Sequence, residues 1–191
     1  MTLKERNLWD STYLRQGRVV NFPAPDPILF EYVPPMFEAR PHRALDLACG
    51  YGQNAIWLAT QGYDTDAVDI SHVALRLGHQ KAMEQKVRNV NFVVADLDTY
   101  ELEPGAYDVV VIMRFIKRGL LPDIRAAVRP GGRIIYQAFN THHLHKQPGF
   151  DPEQLFRVGE LLCYFADWRI LHNTNDNGVS QLAAIKPDEP A

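Results

Sequence analysis

The chain has 191 residues, of which 46% are hydrophobic and 23% charged, with a formal net charge of −3. A chain of that length can bury roughly 70% of the surface its unfolded form exposes, so it needs no disulfide or metal staple, and with two cysteines it has no disulfide framework. The slight acidic excess gives no global attraction to nucleic acid or anionic lipid, no apolar run approaches a membrane span, and the N-terminus is too polar for a signal peptide. The expectation is one cytoplasmic domain over residues 1–191, in which 1–41 form an N-terminal helical lid and 42–186 a sheet core.

In chain order, a polar, aromatic-dotted helical start is followed by Pro23, Pro25, Pro27, Pro34, Pro35 and Pro41. These prolines impose short extended or turn pieces around a short helix at 27–33. A regular alternation then begins. Residues 43–47 read as a buried strand, 55–61 as a helix stopped by Gly62, and 66–69 as a second strand. Ser71 caps a helix to Glu84. Residues 91–95 form a third strand, and 107–113 is the most β-rich run, continuously apolar as a central parallel strand should be. A helix over 119–128 ends before a sharp turn at Pro130-Gly131-Gly132, and 133–139 is the fifth strand. After a His-rich loop, 152–165 reads as helix. Strands at 169–173 and 181–186, joined through Asp176-Asn177-Gly178, close the chain as a hairpin. The pattern is α/β: a doubly wound, mostly parallel seven-stranded sheet, Rossmann-like, with an antiparallel C-terminal hairpin strand.

Ligands of such sheets bind beyond the C-terminal ends of the strands. There the sequence places Asp46-Leu47-Ala48-Cys49-Gly50-Tyr51-Gly52-Gln53-Asn54-Ala55. No Gly-Lys-Ser/Thr follows, so it is not a phosphate-binding Walker loop. Asp46 stands where pyrophosphate binders usually carry an apolar residue, and its charge suits a cation or an ammonium group better than a pyrophosphate. Asp69 ends the second strand about 20 residues on, where an acid can accept from both ribose hydroxyls. Asp96 follows the third strand, with the Leu97 amide beside it, and can accept from an exocyclic amine. Each acid also has a plain structural role open to it, as a cap or a turn residue. Jointly they suit an adenosine bearing an amino-acid tail.

The runs 44–52, Ala67-Val68-Asp69-Ile70-Ser71, Ala95-Asp96 and Arg129-Pro130-Gly131-Gly132 resemble the class I S-adenosylmethionine-dependent methyltransferases over about residues 42–186. The chain is also similar to the small stand-alone tellurite-resistance and thiopurine type, which Trp9-Asp10-Ser11-Thr12-Tyr13 matches loosely. The resemblance implies S-adenosyl-L-methionine as cofactor, with Asp46 and the glycine loop at its methionine end, Asp69 at the ribose and Asp96 at the adenine. Candidate cofactor residues are then Asp46, Ala48, Cys49, Gly50, Tyr51, Gly52, Asn54, Asp69, Ile70, Asp96, Leu97 and Met113.

Methyl transfer from a sulfonium is an in-line displacement that positioning can accelerate without an assigned general base, and no catalytic residue is assigned. Trp9, Tyr13 and Arg114 are candidate substrate contacts. Trp9, Tyr13 and Tyr51 can line a sulfonium, a cation–π attraction worth about 0.5–2 kcal/mol, or Trp9 and Tyr13 can simply anchor the N-terminal helix. Arg15 or Arg18 is a weaker candidate for the methionine carboxylate. His142, His143 and His145 lack a completing ligand set and read as a solvated loop, so no metal is expected. After the fourth strand the chain has Met113-Arg114-Phe115-Ile116-Lys117-Arg118 and not the Asn/Asp-Pro-Pro-aromatic motif of amino-group methyltransferases.

The expected activity is methyl transfer to a small-molecule acceptor. The alternatives are RNA or protein methylation, supported only by Arg114, Lys117, Arg118, Arg15 and Arg18, and a non-catalytic S-adenosylmethionine sensor. A nicotinamide dehydrogenase is disfavoured by Asp46. No membrane partner is expected, nucleic acid is not favoured, and the oligomeric state is left open.

Overall fold

A computed structural model describes residues 3–16, 22–36 and 41–188. Its strands form a seven-stranded sheet in the order β3-β2-β1-β4-β5-β7-β6. The chain divides into two compact units, Met1–Glu101 and Leu102–Ala191.

The first unit holds α1 (Leu3–Gln16), α2 (Ile28–Tyr32), β1 (Arg43–Leu47), α3 (Gln53–Thr60), β2 (Asp64–Asp69), α4 (His72–Glu84) and β3 (Val90–Val94). β1 pairs with β2 and β2 with β3, all parallel. From Ala44 to Leu47 every residue of β1 is buried, as a strand covered on both faces must be. Leu45 within it, and Leu58 and Tyr63 further along the chain, are fully buried. The helix starts follow from side-chain chemistry. Ser71 accepts the Ala74 amide at 3.2 Å and caps α4 as expected. Gly52 precedes α3 and has no side chain to offer, so Asp46 on β1 supplies the cap by accepting the Ala55 amide at 3.0 Å.

The second unit holds β4 (Tyr107–Met113), α5 (Leu121–Ala127), β5 (Val128–Phe139), α6 (Glu160–Cys163), β6 (Arg169–Thr174) and β7 (Val179–Ile185). β4 and β5 are parallel, and β7 pairs antiparallel with both β5 and β6. The fold is therefore the expected mostly parallel α/β sheet with an antiparallel end. The hairpin turns where Asn177 (φ 54°) and Gly178 (φ 79°) both adopt positive φ, as an Asn-Gly turn requires.

Three local expectations are corrected. The helix expected at 119–128 is a 3₁₀ turn at Arg118–Leu120 followed by α5, which carries its proline in the first turn. Pro130-Gly131-Gly132 does not end before the fifth strand: β5 already begins at Val128, and its pairing with β4 shifts register between Tyr107 and Val109. The helix expected at 152–165 is absent. Phe156 bridges to Asn140, donating to the Phe139 carbonyl while its own carbonyl accepts from Thr141. This sheet-like exchange leaves only a 3₁₀ turn at Pro152–Gln154 and the four residues of α6. Of the two cysteines, Cys163 is exposed and Cys49 is buried.

Candidate functional site

The loop from β1 to α3 is built from left-handed backbone. Ala48 (φ 55°), Gly50 (φ 57°) and Gly52 (φ 70°) alternate with ordinary residues, which turns the chain tightly across the ends of β1 and β2. A side chain at either glycine has no room. A Cβ at Gly50 would lie 2.8 Å from the Tyr13 hydroxyl, and one at Gly52 would lie 2.8 Å from Phe92 Cε1.

Two carboxylates brace this loop. Asp69 Oδ2 accepts the Gly50 amide at 2.8 Å, and its Oδ1 accepts the Ser71 amide at 2.8 Å. Asp46 is fully buried, and while its Oδ2 takes the Ala55 amide, its Oδ1 meets no hydrogen-bond partner. A buried unmatched carboxylate oxygen is costly, and protonation relieves it. Burial pushes the Asp46 carboxyl up to about 8; the Ala55 amide works against the rise and the Asp69 charge adds to it. Burial likewise raises Asp69, against the Ser71, Gly50 and Ile70 amides, with the Asp10 charge adding to the rise. The Cys49 thiol is held well above its ordinary value by burial and then by the two acids, so it packs as a neutral group.

Above the loop sits α1. Tyr13 packs edge-on against Tyr51 with ring centroids 4.9 Å apart, and Trp9 lies against Tyr13 at 5.9 Å. Tyr51 donates its hydroxyl to the Tyr13 carbonyl at 3.4 Å. Burial, with Asp69, Cys49, Tyr51 and Asp46 nearby, keeps the Tyr13 hydroxyl protonated, well above its usual range.

The first unit thus gathers Asp46, Ala48, Cys49, Gly50, Tyr51, Gly52 and Asp69 around one loop, with Ile70 buried just beyond it. Asn54 is buried too, but its Oδ1 accepts the Asp26 amide at 2.9 Å and so ties the proline-rich segment to α3. Asp96 lies two residues past β3, where its Oδ1 accepts the Asp98 amide at 2.9 Å in a turn, and Leu97 is buried beside it. Met113 and Arg114 belong to the second unit, at the end of β4. Arg114 has positive φ (57°), with its amide donated to the Gln137 carbonyl at 2.7 Å. Arg118, counted in the basic stretch, pairs with Glu160 at 2.6 Å and donates to the Leu155 carbonyl at 2.8 Å. It clamps its own unit. Arg18 lies outside the described residues, and Arg15 is exposed on α1. His143 stacks on Phe139 at 4.1 Å.

Two positions that pack around the loop and the start of α4 escape the sequence reading. Asp10, a polar residue of α1, has its carboxylate on the N-terminus of α4, accepting from Ser71 Oγ at 2.5 Å and standing 2.9 Å from His72 Nδ1. Gly78, inside α4, leaves room for the Tyr51 carbonyl; a glycine interrupting a periodic helix was the available signal.

Comparison with known proteins gives this geometry a family. Residues 44–132 match the model of a methyltransferase domain. The chain is 34% identical over 113 residues to the ubiquinone/menaquinone biosynthesis C-methyltransferase UbiE of Acidiphilium cryptum, covering 55% of this chain and 45% of that protein. It is 25% identical over 155 residues to the probable S-adenosyl-L-methionine-dependent methyltransferase TehB of Haemophilus influenzae, covering 72% and 53%. The chain resembles the class I S-adenosylmethionine-dependent methyltransferases, TehB among them, a family whose cofactor is S-adenosylmethionine. The methyltransferase fold also recurs in a solved structure from work on converting a disulfide bond into a thioacetal group during echinomycin biosynthesis. That structure is 17% identical with a TM-score of 0.70, covering 98% of this chain and 94% of the other. The chain spans about half the length of the curated relatives it matches.

The donor set fits the family's cofactor. A buried carboxylate oxygen with no hydrogen-bond partner beside the glycine loop suits a cationic amino-acid tail. A pyrophosphate brings no donor to the unmatched Asp46 oxygen, which counts against a dinucleotide.

Proposed function

We propose that this chain is an S-adenosylmethionine-dependent methyltransferase acting on a small-molecule acceptor. The observation that carries the reading is the Asp46 carboxylate: it is fully buried beneath the glycine loop with one oxygen capping α3 and the other unmatched. In this reading Asp46 Oδ1 takes the ammonium of the methionine tail while Gly50 and Gly52 let that tail lie against backbone. Asp69 already spends one lone pair on each oxygen in holding Gly50 and Ser71. The second lone pairs of those oxygens are its capacity for the ribose hydroxyls. Asp96 and Leu97 take the adenine edge, and Tyr13 and Trp9 face the sulfonium and the acceptor.

When bound, S-adenosylmethionine supplies a methyl group on a sulfonium, open to in-line attack. The chain's own contribution is to hold that geometry and exclude water, and no residue here has to move a proton unless the acceptor carries one. The small-molecule reading draws on the likeness to UbiE, whose name places it in ubiquinone and menaquinone biosynthesis. It also draws on the pairing of Arg118 with Glu160 inside its unit, which removes a cation from the surface an RNA would need.

Thermal unfolding with S-adenosylhomocysteine, S-adenosylmethionine and NAD tests the cofactor. At 100 times its dissociation constant a true ligand adds about 2.7 kcal/mol. Stabilisation by the two sulfur nucleosides and none by NAD is expected; the reverse overturns the assignment. Labelled methyl transfer to panels of phenols, thiols and amines, beside RNA and protein, then tests the acceptor. Product on the macromolecules alone, or tight binding with no product at all, rejects the small-molecule enzyme.

A further inference from the structure

We propose that α1 is a latched gate over the glycine loop and that Asp10 is the latch. This rests on reading the Asp46–Asp69 cradle as the cofactor site. Helix α1 has little apolar burial to hold it in place: Leu8, Trp9 and Leu14 are 60%, 44% and 46% exposed. A helix without a buried stripe draws on few, replaceable contacts, which places it among the elements that open at low cost.

Two of those contacts lie three residues apart on one helix face. At the first, Asp10 reaches the N-terminus of α4. Its Oδ1 accepts from Ser71 Oγ at 2.5 Å and lies 3.4 Å from the Val73 amide, and its Oδ2 stands 2.9 Å from His72 Nδ1. Ser71 Oγ still accepts the Ala74 amide. The carboxylate therefore completes the α4 cap from a different helix, where a negative charge is favoured by the exposed amides. At the second contact Tyr13 sets its hydroxyl 2.8 Å from where a Cβ on Gly50 would stand, and Tyr51 holds the Tyr13 carbonyl. The two contacts bracket Asp69, which binds the Gly50 amide with one oxygen and the Ser71 amide with the other.

A ligand whose tail crosses Gly50 meets the Tyr13 hydroxyl, so entry and exit require α1 to lift, and lifting α1 breaks the Asp10 contacts. Asp10 is thus a positioning residue that acts through Ser71, His72 and Tyr13 and sets the rate of cofactor exchange.

Stopped-flow binding and release of S-adenosylhomocysteine by the full chain and its Asp10→Ala variant decides this. Loss of one cap should raise the association and dissociation rate constants together, each about tenfold, and leave the dissociation constant nearly unchanged. A rise in dissociation alone means Asp10 merely supports a ligand contact, and unchanged rates mean there is no latch; either result overturns the proposal. Asp10→Asn keeps an acceptor for Ser71 but replaces the carboxylate beside His72 with a neutral amide. It should show the same paired rise at smaller size, and it carries the test if the alanine variant does not fold. Failure of the unmodified chain to bind S-adenosylhomocysteine at all would instead remove the cofactor reading, which separates the two failures.

Discussion

Both units bury polar side chains at the ends of their strands, but they treat them differently. In the second unit the buried groups answer one another. Gln181 donates to Gln137 Oε1 at 2.5 Å, Asn140 donates to Ser180 Oγ at 3.2 Å, and Ser180 donates to Asn175 Oδ1 at 2.6 Å. The Asn140 Oδ1 caps the following 3₁₀ turn through the His142 amide. In the first unit Asp46 is as deeply buried as Asn140, yet one of its oxygens has nothing to accept from. A satisfied buried network stabilises the fold, whereas an unsatisfied carboxylate costs stability until a donor arrives. The contrast separates groups that hold the chain together from groups poised for something outside it.

Paired substitutions break this contrast most directly. Asp46→Asn should weaken S-adenosylhomocysteine binding by roughly 30- to 160-fold, the worth of about 2–3 kcal/mol for a hydrogen bond to a charged group. The melting temperature of the ligand-free protein should stay level or rise at pH 8, because no charge is then buried. Asn140→Ala should do the opposite. Loss of a cap and of the buried hydrogen bond to Ser180 Oγ costs about 2 kcal/mol, a fall of roughly 4–8 °C for a chain of this size, with ligand affinity intact. Calorimetric titration and thermal melts of the two variants decide it, and equal effects of both on affinity would erase the distinction.

How legible each region was in the sequence follows the same division. β4 was readable to the residue, because a strand buried on both faces is continuously apolar and needs no partner to be recognised. The Ser71 cap was readable because the amide it accepts, that of Ala74, lies three residues away. The helix expected at 152–165 failed because Phe156 exchanges backbone hydrogen bonds with Phe139 and Thr141, a pairing that local composition does not encode. At the candidate site the three acids and the glycines were visible as types and spacings. Their division of labour was not: that Asp46 caps α3 in place of Gly52, or that Asp69 spends both oxygens on backbone, depends on how the loop closes. Asp10 looked like any polar residue of an exposed helix, since its partners stand 61 and 63 residues away.

Gly78 sharpens the comparison from the packing side. Glycine to alanine inside a helix ordinarily stabilises by about 1 kcal/mol. Here the new methyl group would run into the Tyr51 carbonyl and lie 2.9 Å from Phe92 Cε1. Gly78→Ala should therefore destabilise, by about 1–3 kcal/mol, and weaken S-adenosylhomocysteine binding about tenfold as the glycine loop is displaced. Adding Phe92→Leu should not restore binding, because the obstruction is main chain. A stabilised variant with normal affinity would show that α4 does not set the loop.

The smallest effect per step is the pH dependence of the Asp46 carboxyl. Its value is raised, to about 8 against an ordinary carboxylate near 3.9. The ligand-free folded chain therefore binds a proton that the unfolded chain has released over the window from about pH 4 to 8. Stability from this group is fully present below that window and falls as pH rises through it. A cationic tail reverses the sense: pairing with an ammonium requires the carboxylate, so binding expels the proton. Affinity for S-adenosylhomocysteine should rise between pH 6 and 7.5, by at most about tenfold per pH unit. It should level off near 8, where an α-amino group loses its own proton. Titration calorimetry in buffers of different ionisation enthalpy should count up to one proton released at pH 7. Neither the slope nor the proton should appear with Asp46→Asn, nor with 5′-methylthioadenosine, which lacks the ammonium. Were methylthioadenosine to show the same slope, the proton would belong to another group, and the unmatched oxygen of Asp46 would no longer mark the place of the amino-acid tail.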